Sequence, residues 1–343
     1  MERTENKQLK VRILVDRSRR LVMDYPIIFF VFFVFLFGIL FVPYFTTPYN
    51  MKNLCLQLCD LLIIACGYTF IELNAGTDLS ATSVLCVSSV LGGWIMALSP
   101  LAKHPVLATI VGIAAMLFIG LLFGVINGFS VVKLKMPSFI VTMATMLVGQ
   151  AFATWFAQVV FGKNSIGGLP EPFLALGGAG KYFLIPIAIS LVMFLIADFI
   201  LRRTKLGRDI YCVGTNPTAA NISGINVKRT VFIMFILCGL FASVEGIVLT
   251  ARNMAAMSTL GSTMFLNIVS AVVVGGTSVS GGFGGVKQTL LGSVFIVILN
   301  NAMNLVGVEW QTIMLVQGLA ILLATSIDFM LKRARYTTQR RLA

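Results

Sequence analysis

This 343-residue chain has little charge and few of the side chains that enzymes use for catalysis. Only 11% of its residues are charged, whereas soluble domains carry about 25%. It contains one histidine, His104, and no Gly-Lys-Ser or Gly-Lys-Thr sequence that would indicate a phosphate-binding loop. Its six cysteines lack metal-ligand spacing. These absences exclude an ordinary soluble domain. They also predict no catalytic residues, no metal site and no cofactor bound by this chain.

Long apolar runs fill most of the sequence, which is 58% hydrophobic. Runs of roughly 20 residues are long enough to span a bilayer as helices. Spanning segments must form helices or a closed barrel, and uninterrupted apolar runs exclude the alternating pattern of a barrel. The sequence therefore predicts an all-α, polytopic transmembrane helical bundle. The predicted spans are 27–42, 54–72, 81–98, 106–129, 138–161, 183–201, 230–250, 263–276, 288–306 and 311–331.

Positive charge is concentrated in three segments, residues 1–25, 202–229 and 332–343. Lysine and arginine next to membrane spans favour the cytoplasmic side, so all three segments are predicted to be cytoplasmic. Ten crossings that start inside also end inside, and they place the 162–182 loop outside. The predicted organisation is a basic cytoplasmic segment, a transmembrane domain at 26–331 and a basic cytoplasmic tail. The net charge of +13 is thus assigned to membrane topology rather than to nucleic-acid binding.

Residues 203–225 form one long polar segment in the centre of this apolar chain. Asn216 is a favourable N-cap and Pro217 suits the first helical position. Gly224 supplies a left-handed helix stop. The pattern predicts a short capped helix that docks against another protein at the cytoplasmic face. An ordinary amphipathic connector is the alternative that the residues leave open.

Two further motifs interrupt the apolar runs with glycines and hydroxyl side chains. In residues 73–83, Asp78 must face water, a cavity or a hydrogen-bond donor, and Asp78 or Ser80 can cap the following helix. In residues 275–285, six of eleven residues are glycine, which permits close backbone approach. Residues 76–80 and 276–280 are similar to each other, and transporters often contain internal repeats with broken helices at the substrate path.

These motifs resemble the signatures of ribose-type ABC importer permeases. Residues 207–225 are similar to the family's Gly-Arg-x-x-Tyr-x-Val-Gly-x-Asn-x-x-Ala-Ala-x-x-Ser-Gly-Ile pattern, and residues 275–284 to its Gly-Gly-Thr-Ser-x-x-Gly-Gly-x-Gly loop. Residues 75–83 resemble Gly-Gly-Ile-Asp-Leu-Ser-Val-Gly-Ser and depart from it at Ala75, Thr77, Ala81 and Thr82, so that two of its glycines are lost. Asn127-Gly128 and residues 137–142 follow the family's Asn-Gly…Pro-x-Phe-Ile-Val-Thr run. The resemblance extends from about residue 45 to residue 330.

The resemblance implies a permease subunit of an ABC importer for a simple sugar in the bacterial inner membrane. It implies a second permease subunit, an extracytoplasmic sugar-binding protein, and a cytoplasmic ATPase that binds the ATP. It assigns ATPase coupling to Asn216, Pro217, Ala219, Ala220, Ser223 and Gly224. A nucleoside or branched-chain amino-acid permease is the alternative within the superfamily. An ion-coupled secondary transporter is an alternative from another class, with Glu245 and Asp78 as its ion sites.

Polar residues inside the predicted spans are candidates for the translocation pathway. Glu245 lies in mid-span, where a carboxylate is a functional candidate. Arg252 is two helical turns further on, so a structural pair is an alternative, as is a protonated carboxyl bonded to another helix. Asn300 and Asn304 share a helical face and offer the donors and acceptors that sugar hydroxyls need, although interhelical bonding also accounts for them. The full set of pathway candidates is Asp78, Ser80, Glu245, Thr277, Ser278, Asn300 and Asn304.

Overall fold

The computed structural model describes residues 27–178 and 180–342, and these residues form an all-α bundle with one small strand pair. The basic segment predicted at residues 1–25 lies outside the described residues. The helices are α1 Ile27–Phe41, α2 Pro48–Glu72, α3 Ala81–Ala97, α4 Pro105–Val132, α5 Ser138–Phe156, α6 Glu171–Leu174, α7 Leu184–Arg203, α8 Lys205–Thr215, α9 Pro217–Ile222, α10 Val227–Arg252, α11 Phe265–Val274, α12 Val286–Leu305 and α13 Trp310–Leu342. Strands β1 Ser165–Ile166 and β2 Ala256–Met257 pair antiparallel.

Each predicted span coincides with one helix, and six of these helices are long and apolar enough to cross a membrane. The six are α2, α4, α5 with its π-helical extension to Phe161, α7, α10 and α12. The chain is therefore a multi-pass membrane protein. The apolar parts of α1, α3, α11 and α13 are shorter. The ten residues of α11 extend only about 15 Å, half of a typical hydrocarbon core.

Two helix boundaries differ most from the sequence-based prediction. Helix α2 begins at Pro48 rather than at residue 54, because Thr47 Oγ1 accepts a hydrogen bond from Asn50 N at 3.3 Å. The sequence-based prediction missed this start because it relied on apolar runs, and the first turn of the helix contains polar residues. Helix α13 continues to Leu342, so residues 332–342 of the predicted tail are helical.

Helices α2 and α10 form the buried centre of the bundle. Most of the apolar stretch of each helix is inside the protein, and α2 packs against α10, α12 and α7. Helices α4, α5 and α7 instead present many exposed large apolar side chains. In a membrane protein such surfaces face lipid or a second subunit.

Glycines make the contact between α4 and α10 very close. Gly120, Gly124 and Gly128 recur every four residues and therefore share one face of α4. A Cβ atom at Gly120 would lie 2.2 Å from the Gly239 carbonyl oxygen, and one at Gly124 would lie 2.7 Å from the Ile236 backbone. Small residues at four-residue spacing allow membrane helices to pack with their backbones nearly touching. This crossing therefore holds α4 against the buried centre.

The loops gather at two opposite ends of the bundle. The end that carries α8 and α9 also holds the 73–80 turn and the glycine-rich loop at 275–285, joined by a Gly282 N to Leu73 O bond of 2.8 Å. We call it the α8–α9 end. The opposite end holds β1 and β2, and we call it the hairpin end. There the 162–182 loop packs down on the bundle through the buried Phe173. The loop is thus a folded cap with its own short helix, α6.

Candidate functional site

Helix α9 has the caps that its sequence predicts. The Asn216 side-chain oxygen accepts a hydrogen bond from Ala219 N at 3.0 Å, and Pro217 occupies the first helical position. Gly224 follows the helix with a φ of 84°, in the left-handed region that favours glycine. The short capped helix between two long apolar helices is confirmed. Its role in docking stays a prediction.

The orientation of α9 corrects one sequence-based expectation. Ala220 is only 5% exposed and packs into the chain's own core, whereas Ile222 is 82% exposed. The resemblance assigns Ala220 to the contact with a partner. Its buried position contradicts that assignment, because an arginine in place of Ala220 would enter the chain's own interior. The exposed positions of the candidate coupling set are Asn216, Pro217, Ala219, Ser223 and Gly224.

The surface around α9 combines an apolar tip with positive charge. Ile222 projects at the tip, and six exposed cations lie in the flanking segments. An apolar centre with a polar rim is typical of protein interfaces. The cations are Arg202, Arg203, Lys205, Arg208, Lys228 and Arg229. A partner that covers this surface would need an apolar pocket and acidic side chains at its edge.

Helix α8 connects α9 to the glycine-rich loop. The Tyr211 hydroxyl donates a hydrogen bond of 2.8 Å to the Gly284 carbonyl oxygen. Burial raises the pKa of Tyr211, so the hydroxyl stays protonated at neutral pH and remains a donor. On the same helix, Ile210 and Val213 are fully buried. Helix α8 is therefore fixed to the end of the bundle rather than suspended in solvent.

Three backbone segments, one of them α8, are in close contact, and we call this contact the three-segment junction. Its members are Leu73 in the turn after α2, Gly214 in α8, and the pair Gly281–Gly282 in the glycine-rich loop. A Cβ atom at Gly214 would lie 1.9 Å from the Leu73 carbonyl oxygen. The same oxygen accepts the bond from Gly282 N. Sequence reasoning missed this junction, although each of its glycines lies in a motif that it had identified.

The turn after α2 is tight even though one expected glycine is missing. Ala75, at the position where the resembling pattern has glycine, adopts a φ of 52°. This left-handed conformation costs a residue with a Cβ atom about 1–2 kcal/mol. The bend is thus kept despite the substitution.

Asp78 and Ser80 begin a buried network that links the turn to α4 and α5. Asp78, which is 2% exposed, accepts bonds through Oδ1 from Ser80 N at 2.9 Å and Ser80 Oγ at 2.6 Å. Asn127 Nδ2 donates to Ser80 Oγ at 2.7 Å, and Thr145 Oγ1 donates to Asn127 Oδ1 at 2.9 Å. Asp78 therefore organises the start of α3 and is not open to solvent. The part played by Asn127 is a finding of the structure.

Thr277 and Ser278 make the corresponding contacts in the glycine-rich loop. Ser278 Oγ accepts a bond from Ser280 N at 3.2 Å, as Asp78 accepts one from Ser80 N two residues on. Thr277 Oγ1 accepts from Gly285 N at 3.3 Å. The similarity between residues 76–80 and 276–280 is thus matched by the same local turn in both segments.

Glu245 faces the interior of the bundle. Its side chain is fully buried, and neither carboxyl oxygen has a hydrogen-bond partner among the described residues. Arg252 donates instead to Asp60 of α2 and to Asn53 Oδ1, so no hydrogen-bonded Glu245–Arg252 pair forms. Sequence reasoning missed Asp60, although an acid within the apolar run 54–72 was a visible signal.

Glu245→Gln is expected to keep near-normal thermal stability, because the neutral amide has almost the shape of a carboxyl and avoids an unpaired buried charge. Glu245→Ala should be more destabilising than Val244→Ala, because Glu245 is buried and Val244 only half-buried. Thermal unfolding of the detergent-solubilised variants measures both effects on stability. A Gln variant as damaging as the Ala variant would mean that the negative charge is required.

Asn300 lies in a cluster of three amides from α11, α12 and α13. Its Nδ2 donates to Asn267 Oδ1 at 3.1 Å, and Gln317 Nε2 donates to Asn267 Oδ1 at 2.7 Å and to Asn300 Oδ1 at 2.6 Å. Asn304, one turn along α12, is exposed and lies outside this cluster. The structure therefore separates the two asparagines that helical spacing had grouped together.

A cavity of about 120 Å³ lies near the junction and is lined by Ile71, Asn74, Gly76 and Ser138, among others. Typical small-molecule pockets start at about 300 Å³, so this cavity is small for a sugar. Among the residues whose side chains the structure describes, in the ranges 27–178 and 182–326, no three His, Cys, Asp or Glu side chains are grouped so that they could hold a metal ion.

Comparisons with known proteins identify the family to which the chain belongs. The sequence model of the family described as "Branched-chain amino acid transport system / permease component" matches residues 50–325. The chain belongs to this family of transport-system permease components.

Curated relatives cover most of the chain. The ribose import permease protein RbsC of Bacillus subtilis (strain 168) is 38% identical over 290 residues, which are 83% of this chain and 86% of that protein. RbsC of Escherichia coli (strain K12) is 35% identical over 301 residues, 83% of this chain and 87% of that protein. The L-arabinose transport system permease protein AraH of the same strain is 32% identical over 299 residues, 87% and 88% of the two chains. No solved structure matches the chain.

Proposed function

We propose that this chain is the transmembrane permease subunit of an ATP-driven importer for a simple sugar of the pentose or hexose class. The observation that carries the proposal is the identity of 32–38% to ribose and arabinose permeases over more than four-fifths of the chain. Those names favour a sugar over the nucleoside and branched-chain amino-acid alternatives. An ion-coupled transporter is also less favoured, because Asp78, one of its two candidate ion sites, already accepts two hydrogen bonds from Ser80.

The proposed partners follow from this role. A cytoplasmic ATPase binds and hydrolyses ATP and docks on α9, where Ile222 offers an apolar contact within a basic surface. A second permease subunit completes the pathway, and an extracytoplasmic binding protein delivers the sugar. The small volume of the cavity near the junction is consistent with a pathway that lies between two subunits. Lipid surrounds the remaining apolar faces.

The proposed topology has ten crossings, both termini in the cytoplasm, and the α8–α9 end on the cytoplasmic side. Alternate crossings require the loops at 73–80, 202–229 and 277–287 to share one side. Contacts among these loops at the junction support that arrangement. The six exposed cations beside α8 and α9 favour the cytoplasm for this end.

The topology can be tested with single cysteines in a cysteine-free background. Pro217→Cys at the α8–α9 end should be shielded from a membrane-impermeant thiol reagent in intact cells and should react after permeabilisation. Gly167→Cys, exposed in the 162–182 loop, should react in intact cells and is the matched control. Labelling of position 217 from outside would overturn the topology.

The pathway proposal centres on Asn300 and its amide partners. Amide side chains both donate and accept hydrogen bonds, as sugar hydroxyls do, and Asn267 and Asn300 are partly exposed on one protomer. Asp78, Ser80, Glu245, Thr277 and Ser278 are buried, so we propose that they shape the bundle around the pathway. Asn304 remains a candidate contact on the exposed face.

The sugar class is tested on the binding protein that works with this permease. Thermal-shift screening of that protein against pentoses, hexoses, nucleosides and branched-chain amino acids should show stabilisation by a sugar only. In competition experiments, an unlabelled sugar should reduce the uptake of the labelled substrate, and nucleosides and branched-chain amino acids should not. Stabilisation by a nucleoside or an amino acid would contradict the sugar assignment.

A further inference from the structure

We propose that the three-segment junction transmits the movement of α9 to α3, α4 and α5, and that Tyr211 and Gly214 are the positioning residues of this transmission. The inference rests on the proposed function as an ATP-driven permease and assigns residues to its coupling step. In the proposed function, α9 itself contacts the ATPase. The junction residues instead act within the permease.

The first step runs from α9 to the junction. Only Asn216 separates α9 from α8, and Asn216 N bonds to Cys212 O at 3.1 Å while its side chain caps α9. The two helices are therefore joined without a flexible linker. Ile210, Val213 and Ala220 anchor them side by side in the core. A displacement of α9 must consequently move α8 as well.

The second step runs from α8 to both loops at this end. Gly214 lies against the Leu73 carbonyl oxygen so closely that a methyl group would not fit. Tyr211 holds the glycine-rich loop through Gly284 O, and Gly282 N ties that loop to Leu73 O. The three segments thus form a closed set of contacts. Movement of one segment is opposed by hydrogen bonds or by backbone contact with the other two.

The third step runs from the 73–80 turn to the outer helices. Ser80 is bonded to Asn127 of α4, and Asn127 to Thr145 of α5. Thr142 Oγ1 of α5 also donates to Thr77 O at 3.2 Å. Less than half of the apolar stretch of α4 and of α5 is buried. Helix α5 can therefore shift with less loss of packing than α2 or α10, whereas α4 is held to α10 by its glycine contact. Contiguous contacts of this kind carry coupling between sites.

The test measures how many sugar molecules are transported per ATP hydrolysed. Proteoliposomes would contain the permease, its ATPase and its binding protein. Tyr211→Phe removes one hydroxyl and keeps the ring, and it should lower the ratio about two- to tenfold, the range that corresponds to the loss of one hydrogen bond. Gly214→Ala should lower the ratio further. Cys212→Ala, at an exposed position on the same helix, should leave it unchanged.

Co-purification with the ATPase should remain normal for all three variants, because the α9 surface is intact. An unchanged ratio in Tyr211→Phe would overturn the proposal, even if Gly214→Ala fails to fold. A proportional fall of uptake and ATP hydrolysis would also overturn it. A merely structural defect lowers the number of active molecules and leaves the ratio of sugar transported to ATP hydrolysed unchanged. A wild-type permease without ATP-dependent sugar uptake would instead refute the proposed function itself.

Discussion

Ile222→Arg is expected to abolish stable association with the ATPase while leaving the amount of permease in the membrane unchanged. Ile222 is 82% exposed at the tip of α9, so the permease alone gains nothing from its apolar side chain. In a complex, the arginine would be buried without a partner, which costs about 3 kcal/mol or more. That cost corresponds to a more than hundredfold loss of affinity by the relation between free energy and Kd. Co-purification of the two subunits from detergent-solubilised membranes measures the effect.

Two controls make this experiment specific. Met254→Arg also replaces an exposed apolar residue, 57% exposed at the hairpin end, and should keep the association. Ala220→Arg places the same charge in the permease core and should lower the amount of folded permease instead. Normal association and uptake in Ile222→Arg would show that this face of α9 does not contact the ATPase.

Gly120→Leu is expected to eliminate folded permease. A Cβ atom at this position would lie 2.2 Å from the Gly239 carbonyl oxygen and 2.5 Å from Ser243 Oγ. The larger side chain would force α4 away from α10, at a cost that should exceed the roughly 1–3 kcal/mol typical of overpacked cores. Total stabilities are only about 5–15 kcal/mol. We therefore expect at least a tenfold lower yield of monodisperse protein by size-exclusion chromatography.

Gly318→Leu is the matched control for this substitution. Gly318 also lies within a helix, α13, but among the described residues no heavy atom outside its chain neighbours and its own helix backbone lies within 4 Å of the position that its Cβ would occupy. The same change of residue type should therefore leave the yield near that of the wild type. Equal yields from Gly120→Leu and Gly318→Leu would contradict the close α4–α10 crossing.

Local features of this protein followed well from sequence because they depend on neighbouring residues. Apolar runs predicted the position of every long helix in the described part of the chain, since burial in lipid imposes length and composition together. Asn216, Pro217 and Gly224 predicted the start and end of α9, because each acts through its own backbone geometry or a bond three residues away.

Features that depend on distant residues did not follow from sequence. A six-residue helix has too few turns to reveal which face is buried, so the inward position of Ala220 was missed. Arg252 was paired by helical spacing with Glu245, but its partner is Asp60, 192 positions away. The junction joins residues 73, 214 and 282, and only tertiary packing brings these three together.

The central claim is that this chain forms an ATP-driven sugar pathway, and uptake by proteoliposomes tests it most directly. The vesicle membrane would contain the permease with its ATPase. ATP would be supplied on the side that carries the ATPase. The binding protein and labelled ribose or arabinose would be supplied on the other side. The account predicts sugar accumulation that requires ATP and the binding protein and is lost in Ile222→Arg. Accumulation driven by an ion gradient without ATP, or undiminished uptake in Ile222→Arg, would contradict it.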